Sequence, residues 1–167
     1  MKNLIINLQA KMPDAENFKY YELIRSVTAK RLNIDNLPDK KQLRNLENLA
    51  RFNLQPIRNE FGGILITSGF RTPELNIKIG GSEYSNHCRG EAADIEPLDD
   101  QVQMIRIIEW VYVNLDFREL IAEFFPYGWI HIAYRKYGNI KKLKLKDENH
   151  DYEEISMCDL MSLYPEV

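Results

Sequence analysis

The chain has 167 residues, 44% of them hydrophobic and 28% charged, which suits one domain with a real core. Its net charge of -3 argues against a general nucleic-acid binder, which would be basic. No run is long and apolar enough to span a bilayer, and two cysteines, Cys88 and Cys158, are too few for a disulfide framework and point to a reducing compartment.

Residues 1–17 read as short, polar and irregular. They lack the apolar core and small-residue cleavage site of a secretory signal, so we expect synthesis in a cytoplasm without an export address. Residues 21–32 read as one helix, with Leu23, Ile24, Val27 and Leu32 near one face. A turn through Pro38 follows, and Asp39 starts a longer helix. There Leu43, Leu46, Ala50, Leu54 and Ile57 recur at helical spacing, Pro56 bends the end, and Gly62-Gly63 stops it.

Ile64-Leu65-Ile66-Thr67 is a strand. Thr72 caps a short helix with Pro73 at its first position, and Gly80-Gly81-Ser82 turns the chain back. Residues 92–96 form the next strand. Alternation puts Ala93 and Ile95 toward a core and Asp94 and Glu96 toward a cleft. Asp99 or Asp100 caps a helix running to about residue 114. Residues 120–124 and 129–134 form two strands. If their apolar faces align, Glu123 and His131 lie on the same side of the sheet. Residues 140–145 form a last strand, whose Lys141, Lys142, Lys144 and Lys146 read as a solvated face. His150 falls in a polar, solvated tail.

The chemistry gathers in Ser85-Asn86-His87-Cys88-Arg89-Gly90-Glu91-Ala92-Ala93-Asp94. An imidazole and a carboxylate stand seven positions apart in a loop that runs into a strand. His131 follows in Gly128-Trp129-Ile130-His131. Two histidines and one aspartate are a proper donor set for zinc, and a catalytic zinc site uses three protein ligands and leaves the fourth position to water. A lone histidine is more often structural; the combination with Asp94 and the glycines favours a metal. Arg71 reads either as a surface ion-pair residue or, from its place just after a strand and Ser68-Gly69, as part of a site. Nothing suggests a nucleophilic serine, and Cys88 has no activating base.

Thr67-Ser68-Gly69-Phe70-Arg71, Gly80-Gly81-Ser82, Ser85-x-His87-x-x-Gly90-x-Ala92-x-Asp94 and Trp129-x-His131 together resemble the M15 family of zinc peptidases. That family includes D-alanyl-D-alanine carboxypeptidases and phage endolysins that cut peptidoglycan peptides. The resemblance covers roughly residues 21–134. It implies that His87, Asp94 and His131 hold zinc, that Arg71 binds the substrate carbonyl or carboxylate, that Ser85 helps hold the substrate, and that a glutamate is the general base. The best-known members place an acid three residues before the last histidine, where this chain has Gly128. A subgroup of small, phage-like members places its glutamate on the preceding strand, a position that Glu123 fits; Glu96 and Glu91 stay open as alternatives.

We therefore expect an α+β fold: helices flanking a small antiparallel sheet with a zinc cleft, as in hedgehog-like and DD-peptidase domains. Residues 1–146 form the peptidase domain, and 147–167 a tail outside the resemblance. The expected function is zinc-dependent hydrolysis of peptide bonds in peptidoglycan stem peptides or cross-links. The enzyme would reach the wall after holin release or as part of a virion. The competing reading is a catalytically degenerate, zinc-bearing component of a phage particle whose tail docks on phage structural proteins. An amidase, or a peptidase acting outside the wall, is a third class that nothing in the sequence selects.

Overall fold

The computed structural model describes residues 6–148 and 151–164; His150, part of the N-terminal stretch read above and the end of the tail lie outside them. The described chain opens with a hairpin rather than irregular coil: β1 (Lys11–Met12) pairs with β2 (Ala15–Lys19) around Asp14, at φ 54°. Aspartate tolerates this left-handed turn conformation.

The helix expected over 21–32 is two helices, α1 (Tyr20–Ile24) and α2 (Val27–Leu32). Ser26 breaks it: its backbone is extended, and its side chain accepts a hydrogen bond from the N–H of Ala29, so it caps a new helix instead of continuing the old one. The rotation leaves Leu23 and Ile24 buried but Val27 79% exposed. Asp39 does cap the longer helix, as α3 (Lys40–Leu49). A π-helical turn over Ala50–Leu54 then leads into α4 (Gln55–Phe61), where Pro56 occupies the first turn. Proline donates no backbone hydrogen bond, so the winding changes just before it. Leu46, Leu49, Ala50, Leu54 and Ile57 are all fully buried.

Helix α5 (Pro73–Lys78) has the expected cap, Thr72. Helix α6 (Met104–Asn114) starts later than expected because Asp99 closes a turn of its own, accepting the N–H of Gln101 on its side chain and that of Val102 on its carbonyl.

The sheet corrects the expectation of a small antiparallel one. Six strands run in the order β3-β4-β6-β5-β7-β8: β3 (Ile64–Ser68), β4 (Ala92–Pro97), β5 (Glu119–Glu123), β6 (Trp129–Ala133), β7 (Lys142–Lys146) and β8 (Glu153–Glu154). Five neighbours would all be antiparallel but for β5 and β7, which are parallel. The cause is the connection after β6. The chain leaves β6 at Ala133, the partner of Glu119, and starts β7 at Lys142, also a partner of Glu119. It steps over the start of β5 and so must run parallel to it. Beyond β7, strand β8 extends the sheet, and helix α7 (Met157–Ser162) buries Leu160 in the same core that holds Leu143 and Leu145. One face of the sheet packs on the helices; the other floors a cleft.

Candidate metal centre and cleft

Register decides what the cleft floor carries. Asp94 on β4 pairs with His131 on β6, His131 with Ile121 on β5, and Ile121 with Lys144 on β7. The next row along is Trp129, Glu123 and Lys146. Directly paired residues share a face, so all of these side chains rise on the same side. His87 comes from above the sheet, in a 3-10 turn (His87–Arg89).

That turn is held from several directions. The hydroxyl of Ser85 accepts the N–H of His87 at 3.3 Å, and Gln42 and Asn45 of α3 donate to the carbonyls of Cys88 and Arg89. Gly90 ends the turn at φ 70°, where a Cβ would also lie 2.5 Å from the carbonyl oxygen of Gln42. His87 Nδ1 donates to the carbonyl of Gly69 at 2.7 Å, so Nε2 carries the lone pair of the neutral ring. Gly69 itself approaches Leu23 so closely that a Cβ would sit 2.2 Å from the Leu23 carbonyl.

His87 Nε2 lies 3.2 Å from both Asp94 Oδ1 and His131 Nδ1, and His131 Nδ1 lies 2.9 Å from Asp94 Oδ1. All three residues are buried and form a group able to hold a metal ion. Ligands about 2.0–2.1 Å from a tetrahedral zinc stand roughly 3.3 Å apart, close to the observed 2.9–3.2 Å. The donor set therefore fits zinc. Burial lowers the pKa of His87 and keeps it neutral. Burial also opposes charging Asp94, but the facing His87 and His131 imidazoles and the hydrogen bond that His131 donates outweigh it and hold the carboxyl well below its usual range. Burial likewise opposes charging His131, yet the hydrogen bond and charge of Asp94, with Glu119 and Glu123 nearby, raise its pKa.

Arg71 lines the cleft, as expected, and its guanidinium is already at work there. Nε donates to Ser68 Oγ at 2.9 Å, one terminal nitrogen to Asn76 Oδ1 at 2.9 Å, and the other to Asp94 Oδ2 at 2.8 Å. It thereby turns Oδ1 of Asp94 toward the histidines. A guanidinium has five N–H groups, so two remain.

Glu123 is buried in the cleft without a hydrogen bond among the described residues; burial, then the charge of Asp94, pushes its pKa up. Glu91 is committed elsewhere, to Arg89 and Arg135, and Glu96 does not line the cleft. Gly128, where the best-known relatives carry an acid, has no room for any side chain: a Cβ there would lie 1.9 Å from the carbonyl oxygen of Glu123.

The cleft has a volume of about 740 Å³ and contains two features that sequence reasoning missed. Glu119 stands opposite Glu123 across Ile121, 4.0 Å from His131 Nε2, bonded to Lys144 and accepting from Asn86 at 3.2 Å. The same alternation that singled out Glu123 would have found it, had the strand been started one residue earlier. Lys144 and Lys146, read as a solvated face, line the cleft with Asp151 and Tyr152 of the tail.

A family model described as Peptidase M15 matches residues 16–133. No curated protein matches the chain. With the matched region spanning most of the sequence and holding His87, Asp94 and His131, the chain belongs to the Peptidase M15 family.

Proposed function

We propose that this protein is a zinc peptidase that hydrolyses peptide bonds in peptidoglycan stem peptides or cross-links, reaching the wall through a holin or as part of a virion. One observation carries the reading: a His-Asp-His ligand set within 3.2 Å shares a cleft with a buried, unbonded glutamate. His87 through Nε2, His131 through Nδ1 and Asp94 through Oδ1 would hold the ion. When bound there, zinc supplies a Lewis acid that acidifies water and polarises a carbonyl.

The residues of the chain supply the rest. Glu123 takes the proton of the attacking water and returns it to the leaving amine, a role that suits a carboxylate whose pKa burial raises. Arg71 keeps Asp94 oriented and offers its two remaining N–H groups to the negative oxygen of the tetrahedral intermediate. Ser85 braces the His87 turn and faces the substrate at the cleft wall. Glu119 and Glu123 divide the labour by environment. The first is tied to a lysine and an asparagine, while the second is free to exchange a proton.

Zinc content and digestion of purified peptidoglycan, read as released amino groups, test this together. One equivalent of zinc with release that disappears in Glu123→Ala is expected. Zinc retained with no release by the wild type would overturn the peptidoglycan reading and leave the degenerate phage component or a peptidase acting elsewhere, and no zinc uptake at all would overturn the metal reading itself.

A further inference from the structure

Three cations line the cleft: Arg71, Lys144 and Lys146. Arg71 is matched to Asp94 and Lys144 to Glu119. Among the described residues, Lys146 alone of the three has no carboxylate partner. Its Nζ donates to the hydroxyl of Tyr152 at 3.1 Å and lies over that ring, 4.5 Å from its centre; the charges of Glu123 and Asp151 act on it without pairing with it. Tyr152 is held at φ 36°, a conformation unfavourable for a bulky residue, with the strand pair β7–β8 on one side of it. The pair thus places a cation and a phenol on the cleft wall, contributed entirely from beyond the residues that the family model matches.

We propose that Lys146 and Tyr152 form a carboxylate subsite that selects peptides bearing a free carboxylate one or two residues from the scissile bond. Lys146 is the register partner of Glu123. Adjacent strands lie about 5 Å apart, and each residue of an extended peptide spans about 3.5 Å. A carboxylate seated on Lys146 therefore keeps a neighbouring amide within reach of Glu123. The ammonium and the phenol both present hydrogen-bond donors, and the ring restricts the ammonium to this corner. This subsite rests on the peptidase reading above and adds what end of the substrate it grips.

Binding separates the two ideas, because it does not require turnover. The zinc-loaded protein is titrated calorimetrically with N-acetyl-L-lysyl-D-alanyl-D-alanine as the free acid and as its C-terminal amide. Wild type is expected to bind the acid about tenfold more tightly. Lys146→Met should lose that preference at unchanged zinc content, Lys146→Arg should keep it, and Tyr152→Phe should weaken it. Equal affinity of acid and amide for the wild type, no binding of the acid, or a preference that survives Lys146→Met overturns the proposal. Failure of the peptidase reading shows separately, as binding without hydrolysis.

Discussion

The two halves of the cleft are built on different terms. On the β4–β6 side every group is held: His87 by the Gly69 carbonyl and by Ser85, Asp94 by Arg71, and Arg71 in turn by Ser68 and Asn76. On the β5–β7 side Glu119 is tied to Lys144 and Asn86, but the carboxylate beside it is not held. Glu123 has no hydrogen bond among the described residues, and Glu119 reaches His131 only at 4.0 Å. The contrast matches what each half has to do. Ligand atoms must stand within tenths of an ångström of a fixed geometry before the ion arrives, whereas a proton carrier must change state during turnover.

Breaking the rigid half has the largest expected effect. Asp94→Asn removes the charged ligand and leaves Arg71 facing a neutral amide; zinc should be lost on dialysis and activity should fall more than about a thousandfold, checked by metal analysis beside kcat/KM. The looser half should fail differently. Glu123→Gln keeps nearly the same volume and all three ligands, so zinc should stay at one equivalent while kcat drops about 10²–10⁴-fold. A loss of zinc in this variant would show that the two halves are not separable.

Glu119 sharpens the comparison, since it lies on the loose side but touches a ligand. Glu119→Gln should weaken zinc binding by about tenfold in chelator competition. An unchanged affinity would confine its role to Lys144 and Asn86. Proton linkage gives a graded version of the same test. The metal-free site holds a proton on His131, whose pKa is raised above 6.5, and zinc must displace it. Above the raised pKa the affinity should be flat with respect to this group; below it, affinity should fall by up to tenfold per pH unit, with one proton released per zinc in calorimetry. The sign for stability is consistent. A histidine whose folded pKa is raised stabilises the metal-free protein most fully below 6.5, and that contribution is lost as pH rises through the raised value.

The rigid half was also the legible half. His87 and Asp94 lie close in sequence on one loop and strand; of the loose half only Glu123 was legible, because alternation alone put it on the face of His131. What stayed hidden depended on long-range pairing. Residues 134–141 carry no signal that they step over β5, so β7 was assigned no cleft face, and Lys144 and Lys146 were read as solvated. The division of the first helix was hidden for a local reason: Ser26 sits inside a pattern that looks helical, and only the extended backbone reveals it as a cap.

Gly128 bears on how such a site can be rebuilt. Its missing side chain leaves the turn from β5 to β6 short enough that the carbonyl of Glu123 occupies the place where a Cβ would go. Transplanting an acid to this position should therefore not rescue Glu123→Ala; Gly128→Glu would distort the very strand ends that carry the site. Moving the proton carrier between the two positions is an exchange of loop shape, in which a longer turn and a new acid have to arrive together.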